Sequence, residues 1–330
     1  MRMITRRRFV TISAAAAGLA LPTFGRAMAS DADVVVWRGT MLGATATMKI
    51  HHPVRAEAER LVAAACSEAR RLDRLFSLYL PDSALAELNR AGVLVDPAPE
   101  LVDLLSTSQR YSELTDGAFD PTVQPLWKLY VDHFAAADAD PAGPPQASIR
   151  SALARVGYRR VSVSRDRIAM PKGTELTLNG IAQGYVTDRI VMLLRAHGIE
   201  QSLVDMGEIR AIGSRPDGSP WEVGVADPQA AGRIGTTLRI VDRAVSTSGG
   251  YGFRFDPQGR FNHLFDPATG GCSTLYRSIT TVGRSATAAD ALSTAFSLMP
   301  EARIRSLLRD LDIERVHLID AAGSVSELVA

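Results

Sequence analysis

The chain predicts an α+β fold. Segments with strand-like alternation and segments with helical spacing are interleaved in no regular order, and no internal repeat recurs. Roughly 300 residues beyond the leader are enough for a large core, as one domain over 30–330 or as two closely joined lobes. A doubly wound sheet would need a regular strand–helix alternation, which is not there.

Residues 1–29 read as an export leader. A basic start ending Thr5-Arg6-Arg7-Arg8-Phe9-Val10 precedes a short apolar run, and Ala27-Met28-Ala29 supplies a small-x-small cleavage signal. The paired arginines point to twin-arginine export and its machinery, with a plain secretory signal as the alternative. The expected compartment is therefore the periplasm. After the leader, apolar Val34-Val35-Val36 and the near alternation of 42–50 suit strands. Leu61, Ala65, Leu72 and Phe76 recur at helical spacing, and 83–89 and 99–114 read as two further helices. The Ala, Asp, Pro and Gly of 132–146 read as a surface loop, or as the linker between two lobes near 132–148. Then come strands at 161–163 and 175–178, a helix over 181–197 closed by Gly198, and a strand at 202–206. Strands at 221–225 and 237–241 and a helix over 287–299 stopped by Pro300 complete the reading.

Lys and Arg total 37 and Asp and Glu 36, and losing five leader arginines leaves about four net negative charges. That balance gives no basis for a nucleic-acid partner. Two cysteines, Cys66 and Cys272, imply no disulfide framework. Cys66 fits a buried helix face, and Cys272 reads better as a passive loop residue than as a reactive thiol.

Four segments pair glycines or small residues with polar groups. They are Thr115-Asp116-Gly117-Ala118-Phe119-Asp120-Pro121-Thr122-Val123-Gln124-Pro125-Leu126, Leu176-Thr177-Leu178-Asn179-Gly180-Ile181-Ala182-Gln183-Gly184-Tyr185, Asn262-His263-Leu264-Phe265-Asp266-Pro267-Ala268-Thr269-Gly270 and Ala288-Ala289-Asp290-Ala291-Leu292-Ser293-Thr294-Ala295. Asn179-Gly180 falls at a strand-to-helix turn, where backbone can approach a phosphate, although one such turn alone is more often only a turn. Asp290 and Thr294 are four apart on a helix and could share one hard cation, although spacing alone favours a helix-start aspartate and a solvated threonine. A single histidine is usually packed or solvated, but His263 precedes a turn that could hold it over a cleft, and imidazole suits proton removal from a hydroxyl near neutral pH. His51, His52, His133, His197 and His317 lie outside any such motif.

Together these segments resemble the ApbE family of FAD:protein FMN transferases, over nearly all of the chain after the leader. The resemblance implies an ApbE-type, T-fold-like architecture of mixed sheets with packed helices around a flavin cleft, with FAD as substrate and Mg²⁺ as cofactor. It places Gly180, through its carbonyl, with Asp290 and Thr294 on the metal. It makes His263 the catalytic base, directly or through Asp266, and implies flavin-nucleotide contacts at Met41, Tyr79, Ala118, Phe119, Asp120, Thr177, Gln183, His263 and Leu264. Asp205-Met206-Gly207-Glu208 is expected to line the same cleft. Thr177 stands where the family has Asp, and Gln183 where it has Lys; Cys272 stands where Pro is common. The 176–188 segment, the leader and Val204-Asp205-Met206-Gly207-Glu208-Ile209-Arg210 resemble the NosX branch. That branch implies the periplasmic domain of a NosR-like membrane flavoprotein as acceptor. Mg²⁺-dependent FAD hydrolysis and a periplasmic FAD carrier stay open as alternatives.

Overall fold

The structure, a computed structural model, describes residues 34–330 apart from Leu42, Ala231 and the side chain of Met41. The leader and the flavin contact expected of Met41 therefore lie outside the described residues. Among these residues no helix is long and apolar enough to cross a membrane.

Eight strands form the central sheet, in the order β1-β2-β6-β7-β10-β11-β12-β13. They are β1 (Val34–Met41), β2 (Ala44–His51), β6 (Ser202–Asp205), β7 (Ile209–Ile212), β10 (Ala244–Ser248), β11 (Tyr276–Gly283), β12 (Ile313–Asp320) and β13 (Val325–Val329). Each neighbouring pair is antiparallel. One face carries the main core against helices α1 (Arg55–Phe76), α6 (Ala182–Ala196) and α7 (Ala286–Phe296). The opposite face packs Val245 and Val282 under the hairpin of β8 (Trp221–Ala226) and β9 (Ile234–Ile240). A small sheet of β3 (Val93–Val95), β5 (Arg167–Ala169) and β4 (Ser162–Val163) completes the set.

Helix α1 buries Ala58, Leu61, Val62, Ala65, Cys66, Ala69, Leu72 and Phe76, the stripe its spacing predicts. Helices α2 (Ala84–Ala91) and α3 (Pro99–Leu114) also fall where the pattern places them. Helix α4 (Gln124–Ala135) runs into the segment read as a loop from 132, and α5 (Gln146–Leu153) begins at its far end. Between them Gly143 sits against Phe261, and the Arg260 guanidinium donates to the Pro141 carbonyl, so this stretch closes over an aromatic cluster built on Tyr130, Phe255 and Phe265. The strand expected at 175–178 joins no ladder. Asn89 takes both main-chain groups of Leu176, at 2.7 and 2.9 Å, and Thr177 N–H donates to the Pro121 carbonyl at 2.7 Å. Helix α7 ends at Phe296, earlier than expected, and Pro300 instead caps the start of α8 (Glu301–Leu307).

Helices α6 and α7 meet at Gly184. A Cβ there would lie 2.2 Å from the Ala286 carbonyl oxygen and 2.9 Å from Asp290 Cβ. Backbone cannot yield as a flexible side chain can, so Gly184→Ala is expected to cost about 3 kcal/mol despite the better helix propensity of alanine. Urea denaturation of the variant checks this, and wild-type stability would refute the close packing.

Candidate active site

One cavity of about 960 Å³, counting its open mouth, lies where four loops and helix ends converge. Ala118, Phe119, Asp120, Thr177, Gly180, Gln183, His263, Leu264, Asp290 and Thr294 all line it, so most of the predicted site residues share one space.

The first wall follows α3. Thr115 Oγ1 donates to the Tyr111 carbonyl at 2.7 Å and accepts from Phe119 N–H at 3.1 Å, turning the chain so that Phe119 faces the cavity. Asp120 lines the same wall, but its carboxylate is occupied. Oδ1 accepts from Thr122 N–H at 2.8 Å and Thr122 Oγ1 at 2.6 Å, and Oδ2 accepts from Tyr158 N–H at 2.9 Å. These bonds fix the carboxylate in place, tying its loop to the turn at Tyr158.

The second wall is the turn into α6. A Cβ on Gly180 would approach Thr294 Oγ1 to 3.1 Å and Phe119 to 3.4 Å, which brings the Gly180 main chain and the Thr294 hydroxyl side by side. Helix α7 is buried almost all round, so its polar groups need partners. Asp290 Oδ2 accepts from Gly184 N–H at 3.0 Å, and Ser248 Oγ lies 2.7 Å from Ser293 Oγ and 3.3 Å from Thr294 Oγ1. Burial pushes the Asp290 carboxyl up to about 7. Glu208, which also lines the cavity, is raised well above its usual range by burial and then by the neighbouring Asp290 charge. Glu208 Oε2 and Gln183 Nε2 are buried with no hydrogen-bond partner among the described residues.

Among the described residues no three His, Cys, Asp or Glu side chains gather into a metal cage. The donors here are of another kind: the Asp290 carboxylate, the Thr294 hydroxyl and the Gly180 main chain. Such an incomplete oxygen set suits a hard cation that keeps water or ligand oxygens on its other positions. Two carboxyls held out of water beside each other, one with an unpartnered oxygen, also fit a bound positive charge.

The third wall carries His263. Its Nδ1 lies 3.4 Å from the Phe253 carbonyl, which can only accept, so Nδ1 carries the proton and Nε2 keeps its lone pair. Removal from water lowers its pKa to about 4, so the ring is neutral near pH 7. Asn262 braces this strand, accepting from Leu264 N–H at 3.0 Å and donating to the Ser273 carbonyl at 2.9 Å.

Asp266 is outside the cavity. Its Oδ1 accepts from Ala268 N–H at 2.9 Å and its Oδ2 from Thr269 Oγ1 at 2.8 Å, so it closes its own turn and no contact joins it to His263. The catalytic part expected of Asp266 is corrected accordingly. Tyr79 also lies elsewhere, in a neighbouring cavity, 49% exposed, with its hydroxyl accepting from Asn179 Nδ2 at 3.3 Å. Cys272 donates to the Asn262 carbonyl at 3.0 Å and burial pushes its thiol up to about 11, consistent with a passive residue. None of the other histidines lines the cavity.

Several residues of the site carried no sequence signal. Trp127, Thr247 and Ser248 line the cavity without belonging to any of the four segments. Asp188 does not line it, yet positions α7: its carboxylate accepts from Ser285 Oγ, Thr287 Oγ1 and the Ala286 and Thr287 N–H groups at 2.7–3.0 Å and pairs with Arg210.

The model described as "ApbE family" matches residues 42–317, most of the chain. The chain belongs to the ApbE family. An FAD:protein FMN transferase of Treponema pallidum is 32% identical over 265 residues, 72% of this chain and 71% of its own length. One from Vibrio cholerae is 27% identical over 281 residues, 82% of this chain and 83% of its own. Among solved structures, the ApbE protein of Thermotoga maritima superposes with a TM-score of 0.79 at 27% identity, covering 89% of this chain and 97% of that one. The apo form of the Pseudomonas stutzeri flavinyl transferase ApbE gives 0.74 at 27% identity, covering 91% and 97%. The ApbE neighbours share the large antiparallel sheet and packed helices, and the α+β expectation holds.

Proposed function

We propose that the chain is an enzyme that transfers the FMN portion of FAD to a Ser or Thr hydroxyl of an acceptor protein, with Mg²⁺ held by Asp290, Thr294 and the Gly180 carbonyl. The observation that carries this reading is the convergence of those three groups with His263 in one cavity, in a chain of the ApbE family. In the step, a bond forms between the acceptor oxygen and the flavin-side phosphorus while the bond from that phosphorus to the bridging oxygen breaks. AMP leaves with that oxygen. The hydroxyl proton passes to His263 Nε2, whose lone pair the Phe253 contact leaves available. Mg²⁺ would supply charge neutralisation at the pyrophosphate. Gln183 Nε2, buried without a partner, would donate to a ligand oxygen from the position where the family carries lysine. Thr177, in place of the family aspartate, presents a neutral wall.

The paired arginines and the apolar run of the leader support export to the periplasm by the twin-arginine route. The NosX-like segments at 176–188 and 204–210 support a NosR-type protein as the acceptor. The test mixes the protein freed of its leader with FAD, Mg²⁺ and the periplasmic domain of a NosR-type protein, and follows denaturation-resistant flavin fluorescence on the acceptor together with AMP. A labelled acceptor and released AMP, both lost with EDTA, are expected. FMN and AMP with a dark acceptor would replace transfer by FAD hydrolysis, and FAD bound but unchanged would replace it by a carrier role.

A further inference from the structure

Four hydroxyls stand together between the central sheet and α7. Ser246 and Ser248 are two apart on β10, so both face the helix, on which Ser293 and Thr294 follow one another. Ser293 Oγ lies 3.2 Å from Ser246 Oγ and 2.7 Å from Ser248 Oγ, and Ser248 Oγ lies 3.3 Å from Thr294 Oγ1. Between two hydroxyls a distance does not say which one donates, but one fixed end decides it here. Ser293 Oγ is 3.0 Å from the Asp290 carbonyl oxygen, which can only accept, so the single Ser293 proton is committed there. Ser248 must then donate to Ser293. With its own proton placed, Ser248 accepts from Thr294. The Thr294 proton therefore points back toward β10, and the Thr294 oxygen keeps its lone pairs for the cavity, where the Gly180 main chain comes close.

A hydroxyl serves a hard cation only in that sense, with its lone pairs toward the ion and its hydrogen away. We propose that Ser248 is a positioning residue for the cation, holding the Thr294 proton aside so that the Thr294 oxygen faces Mg²⁺. The inference rests on the flavin-transferase reading, with its Mg²⁺ at Asp290, Thr294 and the Gly180 carbonyl, and deepens it. Ser248 acts through Thr294 and is not itself a ligand. No other side chain among the described residues takes the Thr294 proton, so without Ser248 the hydroxyl has to be oriented anew each time the ion binds. Ser293 is fully buried and held by its own helix, which keeps the direction of the whole row fixed.

The mature chain is titrated with Mg²⁺ alone, and affinity is read from the rise in Tm with concentration. Ser248→Ala is expected to weaken Mg²⁺ binding about tenfold, the lower end of what loss of a ligand-orienting partner costs. Ser248→Thr keeps the acceptor and should restore the affinity. Ser248→Cys keeps the size but offers sulfur, a weak acceptor, and should fall with alanine. In transfer assays the alanine variant should need about ten times more Mg²⁺ for half its maximal rate and reach the wild-type rate once the ion saturates. FAD binding in EDTA should be unchanged. An alanine variant with wild-type Mg²⁺ affinity would show that Thr294 needs no partner, and a cysteine variant with that affinity would reduce the residue to packing. Weaker FAD binding in EDTA would make Ser248 a nucleotide contact instead. Each of these overturns the assignment while leaving the transferase reading in place. If the wild type itself shows no Mg²⁺-dependent rise, the cation is lost from that reading, and Ser248 with it.

Discussion

Replacing His263 with alanine is expected to slow flavin transfer by about 10²- to 10⁴-fold, the usual contribution of a positioned general base, while FAD affinity changes by no more than about twofold. The Phe253 carbonyl fixes the proton on Nδ1, and among the described residues none takes the Nε2 lone pair. The pH dependence should be unusual for a histidine. Its pKa is lowered from 6.5 to about 4 by removal from water, so the ring is already neutral at pH 6. With Mg²⁺ saturating, so that Asp290 is held as the carboxylate, protonation of His263 should give no break near 6.5 and should lower the transfer rate only as pH falls toward about 4. Linkage has the same window. Between about 6.5 and 4 the unfolded chain takes up a proton that folded His263 refuses, so this group's contribution to stability is full above 6.5 and is lost on acidification. Single-turnover rates across pH with wild type and His263→Ala test both statements; undiminished transfer by the variant, with FAD still bound, would remove His263 from the mechanism.

Helices α1, α2 and α3 were legible in the sequence because an apolar stripe at 3.6-residue spacing is a local property, and each packs such a face, while α6, buried on nearly every side, was legible through its Gly198 stop. Strands β10 to β13 were not read, and β11 shows why. Its sequence, Tyr-Arg-Ser-Ile-Thr-Thr-Val-Gly, lacks apolar alternation, yet it is almost wholly buried. Thr281 donates to the Ala289 carbonyl at 2.8 Å, and Thr280 meets Thr247 at 2.9 Å. Hydroxyls satisfied by distant partners can fill a core as methyl groups do, and only the folded chain reveals those partners. The same distinction divides the site. Gly180, Asp290, Thr294 and His263 stood out through short motifs, and the fold brings them to one cavity. Asp120 and Asp266 stood out for the same reason, but a loop carboxylate beside free N–H groups binds those first: Asp266 closes its own turn, and Asp120 holds Thr122 beside it and Tyr158 N–H from a distant segment. Asp188 was overlooked because it takes its donors from 97–99 residues further along the chain.

Asp188→Ala should be the most destabilising single change outside the apolar core, at about 4 kcal/mol. One carboxylate on α6 does two jobs. It accepts from Ala286 and Thr287 N–H and from Ser285 and Thr287 hydroxyls, closing the N-terminus of α7, where unsatisfied donors and the helix dipole both favour negative charge. It also pairs with Arg210, whose side chain is only 14% exposed. Losing a cap costs about 1 kcal/mol, whereas stranding a buried guanidinium costs about 3–5 kcal/mol, so the second effect dominates. Asp188→Asn separates the two. An amide retains an acceptor for the helix end but leaves Arg210 without its counter-charge, so it should recover only a small part of the loss. Asp188→Ala combined with Arg210→Met should recover more, because no buried charge is then left alone. Urea denaturation of the three proteins gives the order expected: double variant, then Asn, then Ala. Because α7 carries Asp290 and Thr294, the single variants should also bind Mg²⁺ more weakly, with a smaller Mg²⁺-induced rise in Tm. An alanine variant as stable as the wild type would mean that Asp188 neither anchors α7 nor neutralises Arg210.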